Sequence, residues 1–281
     1  MSSAAAFRTE IPSSPGLPQD IPSGPDPLAR IQVSVPLSII VPTYRERENI
    51  PHLIARIARL KAEENLEIEL IFMDDQSRDG SVEAVAASGH DWVRIVERTG
   101  ERGLSPAVID GFRLARHPVL VCMDCDLSHP PEKIPQMILA LSSGQQFVIG
   151  SRYVPGGSTD DDWGFFRWLN SRVATVLARP LTKVQDPMSG FFVLRKADFD
   201  KADSLNPVGY KIALELIVKC GFQNVGEVPI HFSDRLHGDT LGRIPDRDIA
   251  AIRERVRIED IVGEYVQLKP AGHDSLKGLS P

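Results

Sequence analysis

Residues 118–132 read PVLVCMDCDLSHPPE, an apolar run that leads into two aspartates one residue apart. The part from Val119 to Cys122 has the length and composition of a buried β-strand. Side chains of an extended chain alternate between two faces, so Asp124 and Asp126 are expected on one side where the strand ends. Two neighbouring carboxylates repel each other unless a cation lies between them. The pattern therefore predicts a site for Mg²⁺ or Mn²⁺, which would hold the phosphates of a nucleotide sugar.

A bare Asp-x-Asp is also typical of a solvated turn. Whether this pair forms a metal site or a turn therefore has to be judged from the rest of the sequence. The protein has 281 residues, 42% of them hydrophobic, and a net charge of −6. The negative charge argues against nucleic acid as a partner. No apolar run approaches the ~18 residues of a membrane-spanning helix, and the N-terminus lacks a signal pattern. We therefore expect a cytoplasmic protein.

Composition divides the chain into three parts. Residues 1–36 contain seven of the 22 prolines and show no apolar periodicity, which predicts a flexible leader. Residues 37–241 alternate strand-like and helical patterns, which predicts one α/β domain. Residues 242–281 form a separate, fused tail.

The order of elements in 37–241 predicts the sheet. Strand-like runs occupy 37–41, 68–73, 93–96, 119–122 and 147–149, with helical patterns near 48–61, 80–88, 105–116 and 131–143. This succession predicts a mostly parallel, Rossmann-like central sheet flanked by helices. Ligands bind at the carboxyl ends of such strands. Polar segments at 42–46, 74–80 and 124–126 all fall there.

Segment 74–80 has two interpretations. Its Asp, Ser and Gly residues make an ordinary turn and helix cap. A carboxylate such as Asp75 at a strand end also accepts hydrogen bonds from ribose hydroxyls or base N–H groups. Cys122 and Cys125 form a C-x-x-C, but their spacing predicts opposite faces of the strand and ordinary packing.

Seven short motifs follow one another along the chain, and their order and spacing are typical of one enzyme family. They are PTY with Glu46 and Asn49, DDxSxDG at 74–80, DxDLSHPPE at 124–132, GSRYxxGG at 150–157, DPxSGFF at 186–192, GYKI at 209–212 and GEVPIxFxDR at 226–235. Over about 37–238 the chain thereby resembles the dolichyl- or polyprenyl-phosphate mannose synthases of glycosyltransferase family 2. The resemblance implies the GT-A fold and inverting transfer of mannose from GDP-mannose to a polyprenyl phosphate, with Mg²⁺ or Mn²⁺ as cofactor.

The resemblance also implies roles for individual residues. Positions that hold the nucleoside are matched by Pro42, Tyr44, Glu46, Met73 and Asp75. Those of the metal and diphosphate are matched by Asp124, the Cys125 backbone and Asp126, and phosphate-binding arginines are matched by Arg152 and Arg235. Ser128 stands where some relatives carry a Gln that adds to the metal shell. Asp124, Asp126 and Arg152 are the expected catalytic residues.

The lipid acceptor implies a meeting with the membrane. A helix is expected within 163–181, with a stripe formed by Leu169, Val173, Val176 and Leu177. The stripe is suited to packing on the sheet, or to an interfacial helix at the bilayer. We expect peripheral association with the inner face of the membrane, either direct or assisted by a membrane partner protein.

The C-terminal part departs from the family. There the arginine matched by Arg235 precedes a Gly-x-Ser-Lys-Leu run, whereas residues 236–241 read LHGDTL, without the lysine. Lys211 and Arg243 are candidate substitutes. Residues 242–281 resemble the extreme N-terminus of bacterial DNA primase, but a tail with no cysteine cannot build that family's zinc site. Alternatives are a family 2 enzyme with another nucleotide sugar or acceptor, an enzyme impaired by its altered end, and a nucleic-acid-associated module.

Overall fold

A seven-stranded sheet forms the centre of the protein in the computed structural model. The structure describes residues 35–100, 102–160, 182–202, 205 and 212–234, and the backbone of 268–270 and 276–278. Most of the predicted leader, the predicted helix at 163–181, Arg235 and most of the tail lie outside the described residues. Among the described helices, none has the length and apolar character needed to cross a membrane.

The strands confirm the predicted sheet and extend it. Their bounds are β1 Leu37–Thr43, β2 Ile68–Asp74, β3 Val93–Glu97, β4 Val119–Cys122, β5 Phe147–Ser151, β6 Ser158–Thr159, β7 Phe192–Arg195, β8 Val225–Pro229 and β9 His231–Phe232. The main sheet has the order β3-β2-β1-β4-β7-β5-β8, and β6 pairs with β9. In the tail, β10 Leu268–Pro270 and β11 Leu276–Gly278 form an antiparallel pair.

The four predicted helices are also confirmed. They are α1 Asn49–Glu63, α2 Ser81–Ala86, α3 Leu104–Leu114 and α4 Ile134–Ser142, the last preceded by a 3₁₀ turn at Pro131–Lys133. Two further helices, α5 Lys196–Phe199 and α6 Ile212–Lys219, follow β7.

Strand β7 is the feature that sequence reasoning did not include. It pairs antiparallel with both β4 and β5, whereas the other pairs in the main sheet are parallel. Phe192 at its start lies opposite Cys122 at the end of β4 and opposite Ile149 near the end of β5. Because β7 runs the opposite way, the loop that leads into it reaches the carboxyl edge of the sheet, where ligands bind.

The sheet separates two apolar clusters, and period-two alternation assigns its side chains to them. On β1, Val41 joins the cluster that contains α1 and α4, while Ile40 joins the cluster that contains α3 and α6. Cys122 and Cys125 divide in the same way and are both free thiols, which confirms that they face opposite sides. Burial raises the pKa of both thiols well above the ordinary value.

A buried carboxylate stabilises the opposite, amino edge of the sheet. Glu69 on β2 accepts hydrogen bonds from the Ser38 hydroxyl at 2.6 Å, from Arg94 at 3.2 Å and from the Arg116 side chain at 2.7 Å. Burial alone would raise the pKa of Glu69, but the hydrogen bonds from Ser38 and Arg116 and the charge of Arg94 lower it to about 2.

Replacement of Glu69 is expected to destabilise the protein in a pH-dependent way. We predict that Glu69→Gln lowers the free energy of unfolding at neutral pH by roughly 3 kcal/mol, because it removes the buried negative charge that pairs with Arg94 and Arg116 and replaces one of its two acceptor oxygens with an NH₂ donor. Since the pKa of Glu69 is depressed from 4.5 to about 2, its contribution is present above that range and is lost as the pH falls through it.

Denaturant unfolding from pH 7 down to pH 2 measures this difference. The control is Glu67→Gln, an exposed glutamate two residues away, for which we expect a change within about 0.5 kcal/mol. A gap between Glu69→Gln and the wild type that stays constant down to pH 2 would contradict the assignment.

Candidate active site

The two aspartates that follow β4 differ in exposure. Met123, Cys125 and Leu127 all pack into the same apolar cluster, so the alternation continues past the strand and turns Asp124 and Asp126 away from that cluster. The side chain of Asp124 is 33% exposed, whereas Asp126 is 3% exposed. Asp124 is therefore the member of the pair that is open to a ligand arriving from solvent.

Ser128 orients the buried aspartate. Its backbone N–H and its hydroxyl both donate to Oδ1 of Asp126, at 3.1 and 2.6 Å. Sequence reasoning placed Ser128 in the metal shell. The structure shows its hydroxyl as a donor to Asp126, which is a positioning contact.

His129 fixes the main chain of Asp124. Its Nδ1 accepts the Asp124 N–H at 3.1 Å. The ring stacks on Phe191 and meets Phe232 edge-on, with centroid separations of 5.3 Å in both cases. His129 lies in the motif at 124–132, but the sequence alone predicts no role for it.

The loop that enters β7 lies against the exposed aspartate. A Cβ built on Gly190 would lie 3.3 Å from Oδ1 of Asp124 and 3.4 Å from Cε1 of His129. Ser189 ties the same loop to β5, because its hydroxyl donates to the Gly150 carbonyl at 2.8 Å. The motif at 186–192 and the motif at 124–132 thus meet at one point of the sheet edge.

Arg152 makes a buried ion pair with Asp186. Its Nε and Nη2 donate to the two carboxylate oxygens at 2.8 and 2.7 Å, and its backbone N–H donates at 3.0 Å. The guanidinium also lies over the rings of Tyr153 and Phe232, at 5.2 and 5.3 Å from their centroids. Burial lowers the pKa of Arg152, but Asp186 outweighs it, and the charges of Tyr153 and Asp124 help to raise the pKa. Arg152 is expected at the phosphates, and the structure shows its guanidinium fork engaged with Asp186.

Asp75 follows β2 and belongs, with Tyr44, to a second group of residues on the carboxyl edge. We call this group the second pole of the edge. Arg98 pairs with its Oδ1, and the Gly103 N–H donates to its Oδ2 at 2.8 Å. Arg98 also donates to Asp110 on α3 at 3.0 Å, so the guanidinium joins the end of β2 to α3. Asp75 is oriented by the segment that follows β3, which is the part of the site that sequence reasoning missed.

Tyr44 belongs to the same pole. It is 45% exposed, and the guanidinium carbons of Arg45 and Arg102 lie 5.2 and 5.5 Å from its ring centroid. Arg98, Arg102 and Gly103 follow the carboxyl end of β3. The rule that led to 42–46 and 74–80 could therefore have identified them from the sequence.

The neighbouring aspartate Asp74 has a structural role. It is buried and accepts hydrogen bonds from the backbone and hydroxyl of Ser77, while the Ser77 oxygen accepts the Arg45 N–H at 2.8 Å. Asp79 accepts from the Ser81 N–H at 3.0 Å at the start of α2 and from the Arg47 N–H at 3.3 Å. The turn-and-cap interpretation of 74–80 thus describes Asp74 and Asp79, and Asp75 remains the candidate for ligand contact.

The remaining residues expected at the nucleotide differ in whether their side chains can reach a ligand. Glu46 accepts the Asn49 side-chain N–H at 2.5 Å beside the start of α1, and Pro42 lies opposite Met73 near the ends of β1 and β2. The side chains of Met73 and Cys125 are buried in the two apolar clusters. Any ligand contact by Met73 or Cys125 would therefore come from their main chains.

The donor set at Asp124 and Asp126 fits a metal that shares its shell with a substrate. Among the described residues, no group of three or more His, Cys, Asp or Glu side chains is placed to enclose a metal ion. Mg²⁺ is commonly held by one or two carboxylates, with substrate phosphates and water completing the shell. One exposed and one oriented carboxylate match that arrangement.

A methyl group at position 190 is expected to displace Asp124. We predict that Gly190→Ala weakens Mn²⁺ binding about ten-fold, because contacts that orient a metal ligand typically affect affinity by that amount. Titration with Mn²⁺, followed by electron paramagnetic resonance of the free ion, measures the affinity. In the matched Gly100→Ala variant the new methyl meets no atom of the described residues within 4 Å, so its affinity should not change. Equal affinities for the two variants would contradict the placement of Asp124.

Comparisons with known proteins show the family of the chain. Residues 38–202 match glycosyl transferase family 2. The chain is 47% identical to dolichol-phosphate mannosyltransferase of Mycosarcoma maydis, over 72% of this chain and 72% of the relative. It is 45% identical to the Saccharomyces cerevisiae protein of the same name, over 74% of this chain and 81% of the relative.

The fold is shared with a more distant protein of known structure. Glucosyl-3-phosphoglycerate synthase from Mycobacterium tuberculosis, in complex with Mn²⁺, uridine-diphosphate and glucosyl-3-phosphoglycerate, aligns with a TM-score of 0.57 and 19% identity, over 82% of this chain and 79% of that chain. At that identity the likeness concerns the fold, and it agrees with the predicted GT-A fold. The family resemblance seen in the motifs is confirmed, and the chain belongs to glycosyl transferase family 2.

Proposed function

We propose that the protein transfers mannose from GDP-mannose to a polyprenyl phosphate, with inversion at the anomeric carbon. The observation that carries the proposal is that five of the motifs, at 42–46, 74–80, 124–132, 150–157 and 186–192, lie together at the carboxyl edge of one sheet. Two relatives named dolichol-phosphate mannosyltransferase, at 45–47% identity over most of their length, support the same reaction class.

The acceptor brings its own nucleophile. A phosphate monoester has a second pKa of about 6, so it is largely dianionic at neutral pH. Its oxygen forms a bond to the anomeric carbon while the bond to the GDP oxygen breaks, and no proton has to move. The protein therefore has to bring two polyanions together and stabilise the leaving diphosphate, which is electrostatic work.

Asp124 and Asp126 are the residues that would hold a divalent cation. Bound there, Mg²⁺ or Mn²⁺ would neutralise charge that develops on the leaving diphosphate. The solved structure of glucosyl-3-phosphoglycerate synthase, which shares the fold, contains Mn²⁺ and supports a divalent metal in general. Arg152 adds a positive charge that Asp186 holds in place, and Gly190 in the same loop as Asp186 lies against Asp124.

The nucleoside end of the donor is assigned to the second pole. Tyr44 offers an exposed aromatic face flanked by two guanidinium groups. Asp75 offers acceptor oxygens in an orientation fixed by Arg98 and Gly103. An aromatic face suits a base, and an oriented carboxylate suits donors such as the N–H groups of guanine or the ribose hydroxyls.

The lipid acceptor requires contact with a membrane. We propose peripheral association with the inner face, either direct or through a membrane partner protein. The segment that carries this expectation, the helix predicted at 163–181, lies outside the described residues.

Transfer of labelled mannose into the lipid phase tests the proposal. Purified protein is incubated with GDP-mannose, Mg²⁺ or Mn²⁺ and a short polyprenyl phosphate, with UDP-glucose as the alternative donor. We predict metal-dependent transfer from GDP-mannose and a loss of about 100-fold or more in Asp126→Ala, because the change removes one of the two carboxylates that would hold the metal.

The matched control is Asp91→Ala, an exposed aspartate before β3 at the opposite edge, which should transfer at the wild-type rate. Efficient transfer from UDP-glucose but not from GDP-mannose would show that GDP-mannose is not the donor. A folded wild-type protein that binds GDP but transfers no sugar would contradict the proposed reaction.

A further inference from the structure

Glu227 on β8 holds two consecutive backbone amides. Its Oε2 accepts the Gln185 N–H at 2.9 Å, and its Oε1 accepts the Asp186 N–H at 3.1 Å. Both carboxylate oxygens are thus committed to one segment of main chain. Hydrogen bonds from N–H groups to an ionised carboxylate are about twice as strong as neutral ones, so Glu227 restrains this segment firmly.

The restrained segment carries the partner of Arg152. The carboxylate of Asp186 is fully buried and accepts hydrogen bonds from Nε, Nη2 and the backbone N–H of Arg152. A buried ion pair is favourable only when its geometry is good, because both charges have lost their water. A shift of the Asp186 backbone would therefore move the Arg152 guanidinium or weaken its fork.

The same loop reaches Asp124 at its other end. Three residues after Asp186, the Ser189 hydroxyl is fixed to the Gly150 carbonyl. Gly190 then packs so closely on Asp124 that an added Cβ would lie 3.3 Å from its carboxylate. One loop, fastened to β8 and β5, thus contacts both an arginine and an aspartate that the proposed function uses.

We propose that Glu227 is a positioning residue for sugar transfer. By holding the amides of Gln185 and Asp186, it keeps the 185–190 loop in the position that orients Arg152 and confines Asp124. This inference rests on the proposed function for its chemical step. The position of the loop itself can be tested independently.

The competing interpretation is that Glu227 only stabilises the end of β8. Among the described strands, β8 lies at the edge of the sheet and pairs with β5 alone, and a carboxylate that binds loop amides there would add stability to any fold. A purely structural role predicts that unfolding, donor binding and transfer all deteriorate together. A positioning role predicts loss of the transfer rate with binding of the nucleoside guanosine retained, because Asp75 and Tyr44 belong to a different pole of the edge.

The test compares Glu227→Gln with Glu67→Gln, which makes the same chemical change on the exposed amino edge. Glutamine keeps the volume but directs an NH₂ group at one of the two amides. We expect kcat for mannose transfer to fall 10–100-fold in Glu227→Gln, with the affinity for guanosine, which lacks the diphosphate, within two-fold of the wild type. Glu67→Gln should match the wild type in both measurements.

Amide hydrogen exchange over residues 182–192, with no donor or acceptor present, provides a readout that does not depend on the reaction. We expect faster exchange in Glu227→Gln and wild-type exchange in Glu67→Gln. If the wild type transfers no mannose, the proposed function fails, and this exchange still decides whether Glu227 holds the loop.

A double variant tests the route through Asp186. If Glu227 acts through that residue, adding Glu227→Gln to Asp186→Asn should slow transfer by less than two-fold, because the effects of residues that act as a unit do not multiply. Unchanged exchange over 182–192, wild-type transfer in Glu227→Gln, or fully multiplicative losses in the double variant would each overturn the proposal.

Discussion

The buried ion pair between Arg152 and Asp186 is the interaction on which the rest of the site depends. It connects the end of β5 to the loop that enters β7 through three hydrogen bonds of 2.7–3.0 Å. Because Asp186 is fully buried, the loop cannot shift without exposing or separating two charges. The rigid loop keeps Gly190 beside Asp124. One ion pair therefore fixes the position of the Arg152 guanidinium relative to the Asp124 carboxylate.

The reversed direction of β7 makes this arrangement possible. In an all-parallel sheet, the loop before a strand arrives at the amino edge, far from the ligand. Here the loop before β7 arrives between the ends of β4 and β5, and it can therefore contact residues that follow both strands. The amino edge is used differently: Glu69 and its arginines form a network with depressed carboxyl pKa, which serves stability and lies away from the site.

Much of this could be predicted from the sequence, and the rest could not for physical reasons. The β-α-β order predicted the first five strands and the carboxyl edge, and the motifs predicted Asp75, Asp124, Asp126 and Arg152 as ligand contacts, a prediction that awaits a test. Residue type alone did not reveal that the Arg152 guanidinium would engage Asp186, because the pair is separated by 34 positions. Nor did it reveal the direction of β7, since a four-residue apolar run reads the same in either direction. The role of Glu227, which accepts hydrogen bonds from amides 41 and 42 positions away, arises from such long-range contacts.

The central claim is that Asp124 and Asp126 form a metal-dependent site for a nucleotide diphosphate. Calorimetric titration of GDP into the wild type and Asp124→Asn, each with and without Mn²⁺, tests it most directly. The account predicts that Mn²⁺ tightens GDP binding by about ten-fold or more in the wild type and has little effect in the variant. Equal GDP affinity with and without Mn²⁺ in the wild type, or full metal dependence in Asp124→Asn, would contradict it.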